Sequence, residues 1–382
     1  MVTNVMGVPN RKHSQAAFSQ NGLEEEEKPR LLTGASPISF AAREISKEST
    51  LLGDRFLCRG GGLFIVAPSG HGKSVLTIQC AVLWSCGLPA FGIRPAQPLQ
   101  CLVVQAEDDE GDVTEMCRSS INGLNLTEEQ KKVVGQHAHI EFVNDLTGTR
   151  FIKALKGFLE QRSVDLVFIN PYTAYLGGDI KDDRENTRFL RNELNPLLTA
   201  HKSGAVIIHH TPKTQFNGTD NFTPSDWAYR GAGAAVLTNW ARAYIAIDPC
   251  KDAHGIYRFI AAKRGKRIGW ESPERYFAHS AASGQLLWLP ATQEQLALAK
   301  KAADVKPDDL LPLITALDPI SREAIRQLAK ERLRIGKDKA DDYLKLLIER
   351  GEVHKWSLPR EPGGARSGVG FAQRSQPADD VS

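Results

Sequence analysis

The segment from Ala67 to Ser74 carries the clearest chemistry in this sequence. It reads Ala-Pro-Ser-Gly-His-Gly-Lys-Ser and lies between the apolar run Leu63–Val66 and the helix-compatible stretch Val75–Ser85. Small residues let consecutive backbone N–H groups curl round a polyphosphate, and the following helix directs its positive N-terminal end at it. The sequence therefore predicts a phosphate-binding loop made of Ala67, Pro68, Ser69, Gly70, His71, Gly72, Lys73 and Ser74.

Lys73 and Ser74 indicate which ligand the loop binds. A lysine at this place reaches the β- and γ-phosphates of a nucleotide, and the hydroxyl after it holds Mg²⁺, so we expect ATP and Mg²⁺ as cofactors. Ala67 stands where the pattern has its first glycine, at a position that needs a small residue more than a left-handed one. An ordinary glycine turn is the alternative, but strand, loop and helix occur in the required order.

Glu107, Asp108 and Asp109 form a second polar segment, directly after the apolar run Cys101–Gln105 and Ala106. In a doubly wound sheet the ends of the strands form the ligand crevice. We therefore expect these carboxylates to face the nucleotide. A strand that ends in a solvated acidic turn is the alternative.

Short apolar runs alternate with helical patterns between residues 61 and 290. Their β-branched, nearly continuous hydrophobicity is typical of strands buried on both faces; the runs are Leu63–Ala67, Cys101–Gln105, Ile140–Val143, Val164–Ile169, Ala205–His209, Tyr244–Ile247 and Tyr257–Ala262. Four stretches between them can form covering helices, namely Lys73–Cys86, Gly111–Asn122, Arg150–Gln161 and Arg184–His201. The pattern predicts an α/β fold with a doubly wound, mostly parallel sheet.

Length and composition suit a large domain and a smaller one. The chain has 382 residues, of which 41% are hydrophobic, and a net charge of +3 that by itself indicates no polyanionic partner. We expect a flexible arm over residues 1–36, the sheet domain over 37–290, a linker over 291–304 and a second domain with a flexible tail over 305–382. No run approaches the length of a membrane span, and we expect a cytoplasmic protein without a membrane partner.

The second domain has the pattern of three helices followed by a hairpin. The helices are expected at Asp308–Leu317, Ser321–Leu333 and Lys337–Arg350, and the hairpin would pair Glu352–Trp356 with Gly370–Ala372. This is the outline of a winged helix-turn-helix, whose wing tip would be Pro359–Gly370.

With the acidic triplet after the phosphate-binding loop, the chain resembles the RecA-like hexameric ATPases. The likeness is greatest to the RepA-type plasmid replicative helicases, among the AAA-family ATPases of mobile elements, and it covers roughly residues 50–290. The resemblance implies that Glu107 orients and polarises the attacking water. It also implies an aspartate at the end of the next strand to hold the Mg²⁺ shell, where this sequence has Asn170, with Asp108 as a possible compensating ligand.

Other site residues follow from the same resemblance. Ala205–Lys213 resembles a segment that senses the γ-phosphate, with His210 in the sensing place, although a histidine at a strand end is often only a surface residue. The long polar stretch that follows would line a DNA channel, with Lys213 and Arg230 as phosphate contacts or as ordinary solvated cations. Cations of the hairpin region would reach the neighbouring subunit's nucleotide; the choices are Lys263 and Arg267, then Arg242, against a solvated basic turn.

Basic residues also gather on the expected helices of the second domain, which suggests duplex DNA contacts by Lys337 and Lys339. Asp338, Asp341 and Asp342 oppose this interpretation, and a winged helix that docks on protein is the alternative.

The sequence thus predicts a cytoplasmic, hexameric, DNA-dependent ATPase motor or helicase of plasmid, phage or mobile-element replication. A nucleotide-switched DNA-binding regulator or loader with slow hydrolysis is one alternative, and Asn170 favours it. A non-enzymatic interaction module is the other, and the joint presence of Lys73, Ser74, Glu107 and His210 opposes it.

Overall fold

The computed structural model describes residues 34–210, 228, 235–250, 253, 255–280, 286–297, 305–357 and 369–375. The chain divides into one unit up to Ile45 and a second from Ser46 to Ser382. In the first unit, helix α1 (Pro37–Ala41) begins after Ser36, whose hydroxyl accepts a hydrogen bond from the backbone N–H of Ser39 at 3.1 Å. Ile38, Phe40 and Ile45 are exposed apolar side chains of this unit.

A nine-stranded sheet organises the second unit. Its strands lie in the order β11-β10-β9-β8-β3-β7-β6-β4-β5, with bounds β3 (Gly62–Ala67), β4 (Cys101–Gln105), β5 (Ala138–Phe142), β6 (Leu166–Asn170), β7 (Gly204–His210), β8 (Ala243–Pro249), β9 (Ile256–Lys263), β10 (Glu274–Ser280) and β11 (Leu287–Pro290). Strands β8, β3, β7, β6, β4 and β5 pair in parallel, and β9, β10 and β11 extend the sheet in antiparallel fashion. A two-stranded ribbon, β1 (Thr50–Leu52) with β2 (Leu57–Cys58), precedes it.

Helices cover both faces of this sheet, because side chains that alternate along each strand enter two separate cores. One face packs against α2 (Lys73–Ser85), α3 (Glu110–Gly123) and α4 (Glu128–His137). The other packs against α5 (Gly148–Gln161), α6 (Tyr172–Leu176), the run α7 (Asp183–Thr187), π-helix Arg188–Leu194 and α8 (Asn195–Ala200), and α9 (Ala235–Trp240). The predicted doubly wound, mostly parallel sheet is confirmed.

Each predicted strand and helix of this region is present, with small changes at the ends. The helix expected at 184–201 is a continuous helical run with a π-helical middle. Strands β10 and β11 and helices α4, α6 and α9 are additions to the predicted set. Helix α4 begins at a capping box in which Thr127 and Gln130 bond each other's backbone N–H. No helix in the described part of the chain is long and apolar enough to cross a membrane.

The residues from 305 onward form their own small core around Leu310, Ile325, Leu344 and Phe371. Their elements are a 3₁₀ stretch Pro307–Leu313, β12 (Ile320–Ser321), α10 (Arg322–Leu328) continued by π-helix Ala329–Leu333, α11 (Lys337–Glu349), β13 (His354–Ser357) and β14 (Val369–Ala372). Strand β14 pairs antiparallel with both β12 and β13.

One feature of this part departs from the expected outline. The first predicted helix, 308–317, is a shorter 3₁₀ stretch with Pro312 inside it, and a proline cannot donate the backbone hydrogen bond of an α-helix. The predicted wing tip falls largely on 358–368, outside the described residues. The description of this domain as a winged helix, and the domain limits, stay predictions.

Candidate active site

The phosphate-binding loop connects β3 to α2 through two glycines in the left-handed region. Gly70 has φ 78° and Gly72 has φ 66°, a conformation that costs any residue with a Cβ. A Cβ at Gly72 would also lie 2.6 Å from the ring of His279, so space as well as backbone requires glycine there. At Gly70 no described atom lies within 4 Å of a Cβ position, so only the backbone conformation requires glycine. The loop therefore packs against the ring of His279 at Gly72, while no described residue packs against it at Gly70.

Lys73 lies at the first position of α2 and folds into the concave side of the loop. Its Nζ donates to the carbonyl oxygens of Ala67 at 3.1 Å and Pro68 at 2.7 Å, and the residue is only 5% exposed. Burial lowers the pKa of Lys73 to about 8, against an opposing effect of the Glu107 carboxylate. The ammonium therefore sits where phosphate oxygens could replace loop carbonyls as its partners.

The last antiparallel strands hold the loop from outside. Trp288 on β11 donates from Nε1 to the carbonyl of Gly72 at 3.0 Å, and its backbone N–H and carbonyl both bond the buried Gln79 amide of α2. Nδ1 of His71 lies 3.1 Å from the Tyr257 hydroxyl on β9, and burial, then the Lys73 charge, lower the pKa of His71. This support was not predicted from the sequence, because these residues come some 200 positions after the loop.

Glu107 and His210 meet beside the loop. Glu107 follows the end of β4, His210 ends β7, and β6 lies between these strands. His210 Nε2 is 3.7 Å from Glu107 Oε2, and the Glu107 side chain is 58% exposed. Burial, then the Lys73 charge, lower the pKa of His210 against the opposing effect of Glu107, so the imidazole is largely neutral at pH 7. An exposed carboxylate beside a neutral imidazole can position a water molecule.

Asn170, at the end of β6, contacts the loop directly. Its Nδ2 donates to Ser74 Oγ at 3.2 Å and to Gln105 Oε1 at 2.6 Å, and Gln105 Nε2 donates to Asp108 Oδ2. Gln105 and Asn170 are 3% and 4% exposed, so their hydrogen bonds are shielded from water. Gln105 was not a predicted site residue, although a polar side chain at the end of the apolar strand Cys101–Gln105 is a signal that could have identified it.

The residues present fit a magnesium-bound nucleoside triphosphate. The loop supplies backbone N–H groups and an ammonium, and Ser74 supplies a hydroxyl oxygen for a metal. In the described ranges, no group of three His, Cys, Asp or Glu side chains could hold a metal by itself. Mg²⁺ usually binds through one or two protein groups together with substrate phosphates, so the ion and the nucleotide belong to one site.

The predicted trans-acting cations lie near the ends of the strands opposite to the loop. Ala243 pairs with Leu63 and Lys263 with Tyr244, whereas the loop follows Ala67 at the other end of β3. The four residue steps from Leu63 to Ala67 separate these two parts of β3 by about 13 Å. Arg242, Lys263 and Arg267 are therefore not brought together with Lys73 of the same subunit.

Lys263 is already engaged within its own chain. Its Nζ donates to the carbonyls of Thr238 at 2.8 Å and Ala241 at 2.5 Å, at the end of α9. Burial, then Arg264 and Arg242, lower the pKa of Lys263, which shows that cations gather at this edge. Arg267 is exposed and donates to the carbonyl of Asp54 at 3.3 Å, and Arg242 is exposed.

The predicted DNA contacts fall into two groups. Lys213 and Arg230 lie outside the described residues. Lys337 and Lys339 lie in the first turn of α11, with Lys339 Nζ 5.5 Å from the Tyr343 ring. Of the opposing acidic residues, Asp341 is paired with Arg326 at 2.6 Å, so its charge is matched within the domain.

The fold and these contacts agree with a family match. Residues 25–215, which are 191 of the 382, match the protein family described as "AAA domain". The chain belongs to this AAA domain family. The match contains the phosphate-binding loop, Glu107, Asn170 and His210, while Arg242, Lys263, Arg267 and the C-terminal domain lie beyond the matched part of the AAA domain. Family and sheet together establish a RecA-like P-loop ATPase fold.

Among solved structures, the AAA domain chain is similar to one described as an "ATPase Domain". The two are 11% identical with a TM-score of 0.42, over 61% of this chain and 86% of that chain. No curated protein sequence matches this chain.

Proposed function

We propose that this protein is an ATP-hydrolysing, DNA-dependent motor or helicase that acts in plasmid, phage or mobile-element replication. The observation that carries the proposal is the meeting of Lys73, Glu107 and His210 at one edge of the sheet, with the Glu107 and His210 side chains 3.7 Å apart. This arrangement supplies a phosphate-binding ammonium, a carboxylate for water and a polar group at a strand end. A loop that only stabilised the fold would not require all three.

In the proposed reaction, each residue has a separate task. Lys73 binds the β- and γ-phosphates in place of the carbonyls of Ala67 and Pro68. Bound Mg²⁺ would neutralise phosphate charge, with Ser74 as its protein ligand and Asn170 or Asp108 beside it. Glu107 positions the water that attacks the γ-phosphate, and a positioned group of this kind contributes about 10²–10⁴-fold in rate.

His210 is proposed to report the γ-phosphate to bound DNA. It ends β7, and the chain continues from it into the segment with Lys213, so a change at the imidazole can be passed along the backbone. A neutral imidazole can donate or accept a hydrogen bond, and it therefore distinguishes a bound γ-phosphate from its absence.

Self-association is proposed as part of the mechanism. Arg242, Lys263 and Arg267 lie at the ends of the strands opposite the loop, away from the nucleotide of their own subunit, which supports action on the nucleotide of a neighbouring subunit, as in a ring. The engagement of Lys263 with two carbonyls of its own chain favours Arg267, with Arg242 next, as the cation that reaches across a hexamer interface.

The C-terminal domain is proposed to be a winged helix that contacts duplex DNA through Lys337 and Lys339. Pairing of β12, β14 and β13 around α10 and α11 supports this assignment. The ion pair of Asp341 with Arg326 supports it as well, because it removes one negative charge from the face of the recognition helix. A cytoplasmic location accords with this role.

A nucleotide-switched DNA-binding regulator or loader is the second candidate, and Asn170 favours it. An amide brings no negative charge to the metal site, so hydrolysis by the switch would be slow. Unwinding of a forked duplex with ATP separates the candidates. Strand separation by the wild type, absent in Lys73→Ala, supports the motor; ATP-dependent duplex binding without strand separation supports the switch.

A further inference from the structure

Two buried amide side chains connect Asp108 to Ser74. Gln105 Nε2 donates to Asp108, Gln105 Oε1 accepts from Asn170 Nδ2, and the same Nδ2 donates to Ser74 Oγ. The strands β4 and β6, which carry Gln105 and Asn170, are adjacent and place these two residues opposite each other in register. The contact is therefore built into the sheet.

The direction of these hydrogen bonds follows from the chemistry of the first residue. An ionised carboxylate only accepts, so Gln105 must turn its NH₂ group towards Asp108 and its oxygen towards Asn170. Asn170 must then present its NH₂ group to Gln105, and the same group reaches Ser74. The hydrogen-bond network thus determines which end of each amide is the oxygen and which is the nitrogen, because the two atoms have nearly the same size and shape.

We infer that Gln105 is a positioning residue. Asp108 fixes the orientation of the Gln105 amide, and Gln105 in turn orients Asn170 so that its NH₂ group donates to Ser74. We call the set Asp108, Gln105, Asn170 and Ser74 the amide relay. The inference rests on the proposed nucleotide site, and it gives Asp108 the role of an anchor in place of a metal ligand.

The amide relay has a consequence for metal binding. A carboxylate at position 170 would accept a hydrogen bond from the Ser74 hydroxyl and leave both lone pairs of Ser74 Oγ available. The donor NH₂ of Asn170 instead occupies one lone pair of that oxygen and brings a partial positive charge close to it. The relay therefore weakens the hold of the protein on Mg²⁺, while nucleotide binding through Lys73 is unaffected.

The test measures how strongly Mg²⁺ enhances nucleotide binding. The probe is a fluorescent, non-hydrolysable β,γ-imido ATP analogue, titrated in EDTA and at increasing Mg²⁺. Asn170→Asp is expected to increase the Mg²⁺ enhancement about tenfold over wild type, since it adds a charge and an acceptor. Gln105→Leu is expected to shift it in the same direction, because the freed Asn170 amide can turn its oxygen to the metal side.

Asp108→Ala gives different results under the two roles of this residue. An anchor can be removed without a fall in Mg²⁺ enhancement, whereas loss of a metal ligand lowers it several-fold. A fall in Asp108→Ala, or in Gln105→Leu, overturns the inference. Asn186→Leu is the matched control, since Asn186 is a fully buried amide that accepts a hydrogen bond from Tyr172 in the core on the sheet face opposite α2, and its loss should leave the enhancement unchanged.

A second measurement needs no nucleotide. Thermal unfolding is compared for Gln105→Leu, Asn170→Leu and the double variant. Each single variant leaves a buried amide group without its partner, so the relay predicts that the double variant melts no lower than the less stable single one. A decrease in melting temperature in the double variant that equals the sum of the two single decreases overturns the relay. Absence of analogue binding by the wild type would overturn the proposed function and leave this second test intact.

Discussion

His210 Nε2 lies 3.7 Å from Glu107 Oε2, although their strands are separated in the sheet by β6. Burial and the Lys73 charge lower the pKa of His210, while the neighbouring carboxylate opposes them. The contact thus joins the proposed water-activating group to the proposed γ-phosphate sensor. Loss of either side chain should change hydrolysis in a distinct way.

Glu107→Gln should leave ATP binding intact and reduce hydrolysis at least about 100-fold. The amide keeps the shape of the side chain but cannot polarise the attacking water. Binding is measured with a fluorescent ATP analogue and hydrolysis by phosphate release. Asp109→Asn is the matched control, because the Asp109 side chain caps the N-terminus of α3 by accepting a hydrogen bond from the backbone N–H of Asp112, and hydrolysis should persist. Equal loss of binding and hydrolysis in Glu107→Gln would sink the assignment of this residue.

His210→Ala should uncouple hydrolysis from DNA. We expect basal ATP hydrolysis within about threefold of wild type, because Glu107 and Lys73 remain, while stimulation by single-stranded DNA is lost. The measurement is steady-state hydrolysis over a range of DNA concentrations. His201→Ala, at the end of α8, is the control and should retain stimulation. Normal stimulation of His210→Ala would exclude the sensor role.

ATP affinity should fall as the pH rises above about 8. Burial lowers the pKa of Lys73 to about 8 in the free protein, and bound phosphates favour the charged form. Above this pKa, binding must be accompanied by proton uptake, so the affinity decreases by up to about tenfold per pH unit. Analogue binding at pH 7, 8 and 9 checks this. Lys73→Arg keeps its charge throughout and should show no such decline; a flat wild-type profile would contradict the assignment.

The central strands β3, β4, β6 and β7 were predictable because both of their faces are buried, whereas the more exposed β10 and β11 were not predicted. The runs Leu63–Ala67 and Cys101–Gln105 are almost wholly apolar. A short, continuous apolar run bounded by polar residues is typical of a strand that is buried on both faces. Helix α4 was not predicted, since Val134 is its only buried residue and the apolar period is weak. The Thr127 and Gln130 capping pair was the signal that remained.

The polar contacts of the site were less predictable than its loop. Lys73 and Ser74 are adjacent in the chain, so their spacing shows in the sequence. Gln105 meets Asn170 only because β4 and β6 are neighbours, and Trp288 reaches Gly72 only because β11 returns past α2. Such contacts depend on strand order, which local patterns do not specify.

Arg267→Ala and Lys263→Ala should differ in stability. Lys263 Nζ bonds two carbonyls at the end of α9, and its loss should lower the free energy of unfolding by about 1–3 kcal/mol. Among the described residues, the Arg267 side chain donates one exposed hydrogen bond, to the carbonyl of Asp54, so Arg267→Ala should melt close to wild type while losing hydrolysis. Thermal unfolding and phosphate release are compared. Full hydrolysis by Arg267→Ala would exclude its action across an interface.

Mixing two inactive variants controls for that interpretation. Arg267→Ala retains its own loop, and Lys73→Ala retains Arg267, so a mixed ring contains interfaces with both groups intact. Partial recovery of hydrolysis is expected on mixing; no recovery, with co-assembly shown by a size measurement, would contradict action of Arg267 across the interface.

Steady-state ATP hydrolysis by the purified protein, with and without single-stranded DNA, tests the central claim most directly, with Lys73→Ala as the blank. We expect hydrolysis that rises several-fold with DNA and vanishes in Lys73→Ala, as required of a DNA-dependent motor. Tight ATP binding with negligible turnover under both conditions would contradict the motor and favour the nucleotide-switched regulator.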